Sequence, residues 1–358
     1  MDAPEASARV APFDAAELDY ELPEERIAQA PLPERDAARL LCMRSGKLSL
    51  AHHSVRELPE LLAPSLIVLN DTRVLPARLL GRKPTGGQVE LLLVERLSEP
   101  GAVERWLALA RGKGLREGVR VTFGDGSLQA ELGARHGQHH EVELSARGQV
   151  AAAIAELGRV PLPPYIRRAP DAADAARYQT VYAAHDGAVA APTAGLHLSE
   201  RLLERLVASG HRIARLTLHV GPGTFAPLRS AELSAHRMHP ERYSVPAATA
   251  EALAEARAQG RPVLAVGTTV VRALEAAADE HGVVRAGHGT TALFIHPPYR
   301  FRAVDTLMTN FHLPRSTLLA LVMAFGGVAA VRAAYRAAID GGYRFYSYGD
   351  AMLIRSDA

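Results

Sequence analysis

The feature that most constrains the fold of this chain is a block of short strand-like segments between two regions of a different pattern. In residues 74–148, short runs of alternating apolar and polar residues are separated by turns rich in glycine and proline. Residues 13–73 and 149–358 alternate instead between strand and helix patterns, which is typical of α/β folds. We therefore predict an α/β main domain (13–73 and 149–358) with an inserted small all-β, barrel-like domain (74–148).

The predicted elements are short and mostly well delimited. Strands are predicted at 88–94, 105–110, 118–123 and 139–144 in the insertion, and at 65–69, 212–220, 262–266 and 302–308 in the α/β domain. Helices are predicted to begin near Leu22 and Ser199, and to cover 248–258, 268–278 and 316–325.

Length and composition are those of a folded two-domain protein. The chain has 358 residues, of which 48% are hydrophobic and 22% charged. A single cysteine, Cys42, excludes an intrachain disulfide and a thiolate metal cluster and fits a reducing cytosol. The first residues lack the basic start and apolar run of a signal peptide. The apolar stretch 317–331 is too short to span a membrane, so we predict a buried helix and a cytoplasmic protein without a membrane partner.

Charge is unevenly distributed along the chain. The whole sequence has a formal net charge of +2. Residues 73–120 hold ten Lys or Arg and five Glu, whereas residues 121–158 hold two Arg and five acids. A basic segment of this kind can attract phosphates, or it can simply be a solvated surface, and charge alone does not separate the two.

Five polar turns follow predicted strands or precede predicted helices. In α/β sheets, ligands bind beyond the carboxyl ends of the strands, so these turns predict one site on one rim. The turns lie at 70–73, 191–197, 221–225, 267–269 and 309–316.

Two of these turns have features that suit a polar ligand. Gly267-Thr268-Thr269 places backbone N–H groups and hydroxyls at a helix N-terminus, although ordinary helix capping explains it equally. Gly221-Pro222-Gly223 allows close approach of a flat ligand on which Phe225 can stack, or it is a plain tight turn. Neither turn matches a nucleotide-triphosphate or dinucleotide fingerprint.

Three histidines lie in or beside these turns: His197, His219 and His312. Their spacing is not that of a metalloprotease, and we predict no metal. Neutral imidazole suits general acid–base catalysis, the alternative being structural histidines held by hydrogen bonds. No serine-hydrolase elbow is present.

The proline-rich segment 159–168 ends in Arg167-Arg168, and Tyr178 and Tyr182 follow it. Arginines with aromatic faces suit RNA, so these four residues are predicted to bind tRNA or, alternatively, to belong to a structural linker.

In these motifs the chain resembles the S-adenosylmethionine:tRNA ribosyltransferase-isomerases of queuosine biosynthesis. The motifs are NDTRVLPARL from Asn70, GRVPLPPYIRR from Gly158, YQTVYA from Tyr178, AVAAPTAGLH from Ala188, LTLHVGPGTF from Leu216, HRMHPERY from His236, VGTTVVRALE from Val266, TNFHLPRSTLL from Thr309 and YSYGDAMLI from Tyr346. Their order follows the family over nearly the whole chain. The chain departs from the family's usual residues at Leu198, Ser199, Pro222, Ala292 and Pro298.

The resemblance implies an enzyme that joins the ribosyl portion of S-adenosylmethionine to 7-aminomethyl-7-deazaguanine at the wobble position of tRNA. Epoxyqueuosine-tRNA, adenine and methionine are the products. S-adenosylmethionine is then a substrate, no cofactor or metal is required, and a monomer is expected. The alternatives are a transferase that uses S-adenosylmethionine on a small amine or free nucleobase, and a non-catalytic RNA-binding protein.

The resemblance also suggests roles for the rim residues. A base that removes a hydrogen from C5′, which the sulfonium acidifies, would start adenine loss; His197, His219, His312 and Asp71 are the candidates. The predicted S-adenosylmethionine-binding residues are Asn70, Arg73, Thr193, Gly195, Gly221, Gly223, Thr224, Phe225, Gly267, Thr268, Thr269, Arg272, Asn310 and Arg315. Among these, the arginines are expected to hold a carboxylate or tRNA phosphates, and Thr193, Thr268 and Thr269 ribose hydroxyls.

Overall fold

The fold has two parts, a nine-stranded mixed sheet with helices on its faces and a closed six-stranded antiparallel barrel. The computed structural model describes residues 13–221 and 238–356. The predicted fold class, an α/β domain with a small barrel-like β domain, is confirmed. The boundaries 13–73, 74–148 and 149–358 remain a prediction, with the barrel strands lying between Arg78 and Ala146.

The strands and helices of the described residues are numbered in chain order. The strands are β1 (Arg39–Arg44), β2 (Leu50–Ser54), β3 (Leu66–Asn70), β4 (Thr72–Val74), β5 (Arg78–Arg82), β6 (Gln88–Arg96), β7 (Val103–Arg111), β8 (Arg120–Phe123), β9 (Leu128–His136), β10 (His139–Ala146), β11 (His185–Ala188), β12 (Arg212–Leu218), β13 (Glu241–Val245), β14 (Val263–Val266), β15 (Gly287–Thr291), β16 (Thr306–Asn310) and β17 (Ala351–Arg355). The α-helices are α1 (Leu58–Leu61), α2 (Val150–Leu157), α3 (Ala172–Arg177), α4 (Glu200–Ala208), α5 (Ala247–Ala258), α6 (Thr268–Ala277), α7 (Thr317–Gly326) and α8 (Val328–Asp340).

The large sheet has the strand order β15-β13-β12-β3-β14-β16-β17-β1-β2. The four central strands β12, β3, β14 and β16 run parallel to one another, so their carboxyl ends share one edge. Two hydrophobic clusters lie on its two faces, because β3 alternates Leu66 and Val68 on one side with Ile67 and Leu69 on the other. This edge is the rim predicted to carry the polar turns. Residues of the turns 191–197, 267–269 and 309–316 line one small cavity there, and Asn70 donates to Thr269.

The barrel closes in the order β10-β7-β6-β5-β8-β9 around its own apolar core. Its strands alternate buried and exposed residues, as in β8, where Val121 and Phe123 point inward. A two-stranded parallel sheet of β4 and β11 lies between the barrel and the large sheet, and α2 packs on the barrel through Val150 and Ile154. The barrel is therefore attached directly beside the rim.

Several predicted elements differ from the structure. The predicted helix near Leu22 is one 3-10 turn, Glu24–Arg26. The predicted buried helix 317–331 is broken at Gly327, which has φ 81° and separates α7 from α8. Among the described residues no single helix is long and apolar enough to cross a membrane; α7 and α8 together have the length and composition for it but are bent by 113°.

Candidate functional site

The largest cavity described, about 830 Å³, lies where the barrel meets the edge of the large sheet. Its barrel wall includes Glu95, Arg96 and Trp106, and α2 adds Ile154. Its other wall comes from the ends of β4, β11 and β12 and from β13 and β15, with the side chains Arg73, Asp186, Thr217, His219, Arg242, Tyr243 and His288. A volume of this size suits a small-molecule substrate with polar groups on one side.

His219 follows β12 and lines this cavity. Its Nδ1 lies 2.9 Å from the hydroxyl of Thr72 on β4. Burial lowers the pKa of His219, and the positive charges of Arg242 and His185 lower it further, whereas Asp71 and Asp186 oppose the shift. The imidazole is therefore neutral near pH 7 and can accept a proton.

Gly187 leaves room for the imidazole ring of His219. A Cβ on Gly187 would lie 2.7 Å from His219 Nδ1, and the glycine has φ 147°, which side chains rarely adopt. The Asp186-Gly187 pair on β11 thus supplies a close backbone wall for the imidazole. The sequence analysis did not select this glycine.

Asp71 is buried directly after β3. Its Oδ1 accepts a 2.7 Å hydrogen bond from the hydroxyl of Thr217, a cavity residue, and its Oδ2 lies 3.7 Å from His185 Nε2. The carboxylate therefore lies just behind the cavity wall. Because it favours protonation of His219, it can stabilise an imidazolium formed there.

Asn70 fixes the neighbouring turns to one another. Its Oδ1 accepts from the backbone N–H of Leu218 at 3.0 Å and of Thr72 at 3.2 Å. Its Nδ2 donates to Leu218 O at 3.0 Å and to Thr269 Oγ1 at 3.3 Å. With 0% exposure it is a structural link rather than a surface for a ligand.

A second cavity of about 30 Å³ lies on the same rim. Thr193, Gly267, Thr268, Thr269 and His312 line it. This volume holds about one water molecule and has no room for a sugar ring, so the role of the three threonines as ribose ligands stays a prediction.

His312 and His197 are buried away from the large cavity. His312 Nε2 is 2.8 Å from the Thr309 hydroxyl, and burial lowers the pKa of His312 to about 3. His197 Nε2 lies 3.0 Å from Asn310 Nδ2, and burial, followed by the charges of Arg344 and Arg35, lowers the pKa of His197 to about 4. The structure does not bring the three histidines together.

Of the three arginines predicted to bind S-adenosylmethionine or phosphates, only Arg73 lines the large cavity. Arg272 is buried and forms an ion pair with Glu241, which also accepts from the Gly221 N–H at 3.3 Å. Arg315 lies on the surface, 4.0 Å from Asp19, and lines none of the cavities described above. Binding of S-adenosylmethionine or phosphates by Arg272 and Arg315 stays a prediction; one guanidinium is paired inside the fold and the other lies away from the large cavity.

The remaining predicted rim residues are distributed as follows. Gly195 packs so closely on Tyr182 that a Cβ would lie 2.1 Å from the Tyr182 hydroxyl oxygen. Gly223, Thr224 and Phe225 lie outside the described residues. No group of three or more potential metal ligands occurs in residues 13–221 and 238–356.

The predicted tRNA-binding residues all form contacts within the fold. Tyr178 and Tyr182 are 1% and 6% exposed, so neither ring has a face on which a base can stack. Arg168 forms a two-pronged ion pair with the buried Asp174 at 2.6 and 2.7 Å. Arg167 pairs in the same way with Glu24 at 2.8 and 3.1 Å. Binding of tRNA by these four residues and the alternative, a structural linker, both stay predictions.

The sequence analysis missed the barrel wall of the cavity. Trp106 is 5% exposed and donates from its indole N–H to Glu104 at 2.9 Å, while Arg96 lies 6.0 Å from the ring centroid of Trp106. The only signal in the sequence was the basic charge of residues 73–120, which contain the chain's one tryptophan.

Comparisons with known proteins show which sequences and structures this chain is similar to. The family described as "Queuosine biosynthesis protein" matches residues 15–354. A relative from Anaeromyxobacter sp. (strain K) is 56% identical, with 95% of this chain and 98% of the relative covered, and one from Sorangium cellulosum (strain So ce56) is 54% identical, with 94% and 97% covered. Both are named S-adenosylmethionine:tRNA ribosyltransferase-isomerase. A solved structure of the S-adenosylmethionine tRNA ribosyltransferase from Thermotoga maritima is 37% identical, covers 94% of this chain and 99% of its own, and superposes with a TM-score of 0.53.

Proposed function

Because the chain belongs to the queuosine biosynthesis protein family, we infer that it is an enzyme acting on S-adenosylmethionine and tRNA. It transfers and isomerises the ribosyl moiety of S-adenosylmethionine onto 7-aminomethyl-7-deazaguanine at the tRNA wobble position. The products are epoxyqueuosine-tRNA, adenine and methionine. A transferase for a small amine and a non-catalytic RNA-binding protein are not favoured by these relatives.

We propose that the reaction takes place in the 830 Å³ cavity between barrel and sheet. The observation that carries this proposal is His219, a partly buried imidazole with a lowered pKa that lines the cavity. A titratable group with a shifted pKa that lines a cavity of substrate size is a candidate for a catalytic position.

The proposed first step is removal of a C5′ proton of S-adenosylmethionine by His219. We propose the tautomer in which Nδ1 donates to the Thr72 hydroxyl, so that Nε2 is the nitrogen that accepts the proton. The electron pair left on C5′ is stabilised by the adjacent sulfonium. It then forms a C4′–C5′ double bond as the C4′–O4′ bond breaks, and the electron pair on O4′ forms the C1′ carbonyl as the C1′–N bond breaks and adenine leaves, taking up a proton from the imidazolium. Asp71, 5% exposed behind the wall, stabilises the imidazolium by its charge.

The later steps join the tRNA amine to the ribosyl carbon skeleton. The methionine thioether leaves with the electron pair of the C5′–S bond, so S-adenosylmethionine is consumed as a substrate. We propose no further cofactor, and we assign Arg73, whose side chain lines the cavity, to the methionine carboxylate. A monomer acting in the cytoplasm, where tRNA is found, completes the proposal.

The experiment is single-turnover adenine release with S-adenosylmethionine and either tRNA carrying the aminomethyl base or the free base. We expect adenine only with tRNA. Release with free base alone would instead support a small-amine transferase, and tRNA binding without release an RNA-binding protein.

The proposed base is tested in the same assay. Replacement of a general base lowers a rate by about 10²–10⁴-fold, and we expect this loss for His219→Ala. His281→Ala, at a side chain 80% exposed, is the matched control. Release from His219→Ala at the wild-type rate would contradict the assignment.

A further inference from the structure

Two arginines lie on the two walls of the large cavity. Arg96 ends barrel strand β6, and Arg242 lies on β13 of the large sheet. Both are exposed, in contrast to Trp106 deeper in the same cavity. Two guanidinium groups therefore lie at the exposed part of a cavity that is also lined by the carboxylates Glu95, Glu104 and Asp186 and, deeper, by the ring of Trp106.

The carboxylate next to Arg242 holds it weakly. Glu95 Oε1 on the barrel lies 3.9 Å from Arg242 Nη2, beyond hydrogen-bond distance, and the two side chains are 45% and 59% exposed. Exposed pairs of this kind contribute little to stability and are readily exchanged. Among the described residues no carboxylate lies within 4.0 Å of the Arg96 guanidinium, which lies over the ring of Trp106.

This arrangement differs from that of the arginine pair selected from the sequence. Arg167 and Arg168 each donate two short hydrogen bonds to a carboxylate, which saturates the face of the guanidinium that a phosphate would need. Arg96 and Arg242 keep that face available. The observed contacts thus favour the cavity entrance, rather than the segment that contains Arg167 and Arg168, as the binding site for an anion.

We propose that Arg96 and Arg242, one on each wall of the cavity, bind the backbone phosphates on either side of the wobble nucleotide. The ion pair between Glu95 and Arg242 breaks when the RNA binds. This rests on the proposed function, since a base inserted into the cavity leaves its two flanking phosphates at the entrance. The basic segment 73–120, which contains Arg96, adds a longer-range attraction for the polyanion.

The proposal predicts opposite effects for neighbouring residues. Arg96→Gln and Arg242→Gln each remove a phosphate contact and should weaken tRNA binding about three- to tenfold near physiological salt. Each should also lower the slope of log Kd against log salt by about 0.7–0.9. Glu95→Gln removes the competing carboxylate and should tighten binding about two- to threefold.

The test measures binding of tRNA carrying the aminomethyl base by fluorescence anisotropy over a range of salt concentrations. Arg201→Gln is the matched control, because Arg201 is an exposed arginine on α4 that does not line the cavity. Arg242→Lys keeps the charge and should retain most of the salt slope. Unfolding midpoints of all variants show whether the fold is intact.

Two outcomes would overturn the proposal: wild-type affinity and salt slope in both arginine variants, or a change of the same sign in Arg242→Gln and Glu95→Gln. The second would mean that the ion pair only holds barrel and sheet together. Failure of the proposed function is distinguishable, because wild-type protein would then release no adenine from S-adenosylmethionine with this tRNA.

Discussion

His219 shows how a single residue in this fold acquires the properties of a base. Its ring is held by the Thr72 hydroxyl on one side and the Gly187 backbone on the other. Burial then lowers its pKa below the ordinary value of 6.5. The group therefore remains unprotonated at pH values where an exposed histidine would be charged.

This pKa direction predicts the pH dependence of adenine release. The rate should be constant near neutral pH and fall only when His219 becomes protonated, so the acid limb should lie below about pH 6.5. Single-turnover release at a series of pH values checks this. An acid limb centred above pH 7 would show that another group is the base.

Gly187 offers a second test at the residue scale. Gly187→Ala would put a Cβ 2.7 Å from His219 Nδ1, so we expect adenine release to fall by about tenfold or more as the ring is displaced. Gly287→Ala is the matched control, because Gly287 has φ 143° with nothing within 4 Å of the added Cβ.

Both glycine variants should lose stability, since both place a side chain in an unfavourable backbone conformation, and Gly187→Ala should lose more because its Cβ also clashes with His219. Equal rates of adenine release in the folded Gly187→Ala and Gly287→Ala variants would mean that Gly187 is needed only for its backbone conformation and not for the position of His219.

At the scale of elements, the buried Arg272–Glu241 pair joins α6 to β13 and, through Gly221, to the end of β12. We expect Arg272→Met to destabilise the protein by about 3–5 kcal/mol, because it leaves a buried carboxylate without its cation. Urea unfolding measures this change in free energy.

The double variant Arg272→Met with Glu241→Leu should recover part of that loss, since no buried charge remains. Affinity for S-adenosylmethionine, measured by calorimetry where the protein is folded, should stay within a few-fold of wild type. A variant that is fully stable yet does not bind S-adenosylmethionine would support Arg272 as a ligand residue.

The elements also show what the sequence could predict. The strands β3, β12 and β14 follow from apolar runs before polar turns, and the turns after β3 and β14 do meet on one rim, as Asn70 and Thr269 do at 3.3 Å. Strand β15, Gly287–Thr291, is mostly polar and exposed, so its pairing with β13 has no local signal. Tyr178 and Tyr182 look like RNA-binding residues in sequence, but only tertiary packing decides that they are buried.

The large cavity is the clearest example of a feature that local sequence patterns do not predict. His219 and Trp106 line one space, although they lie on different sheets and 113 positions separate His219 from Trp106 in the sequence. Whether the two residues lie close together depends on how the barrel is attached to the large sheet, and the local sequence around either residue does not predict that attachment.

For the whole molecule, the buried histidines predict how stability depends on pH. The pKa values of His197 and His312 fall to about 4 and about 3 in the folded state. Below pH 6.5 the unfolded chain binds protons that the folded chain does not, so the free energy of unfolding decreases as pH falls. Each histidine contributes up to about 1.4 kcal/mol per pH unit in this range.

Urea unfolding between about pH 6.5 and pH 4.5 tests this, with His312→Gln as the informative variant. The slope of its unfolding free energy against pH should be smaller than that of wild type, by an amount that corresponds to about one bound proton. Identical slopes would show that His312 is protonated in the folded state.

The pairing of β1 between β2 and β17 has a consequence for the order of events in folding. The Arg39 backbone N–H donates to an Asp350 oxygen 311 residues away, whereas the strand pairings that close the barrel all lie within residues 78–146. Ordering a long loop costs entropy before its contacts form, so the barrel should gain hydrogen-exchange protection first and β1 last. During synthesis, β1 can therefore pair with β17 only after nearly the whole chain has been made. The rim of the large sheet is then completed after the barrel has folded.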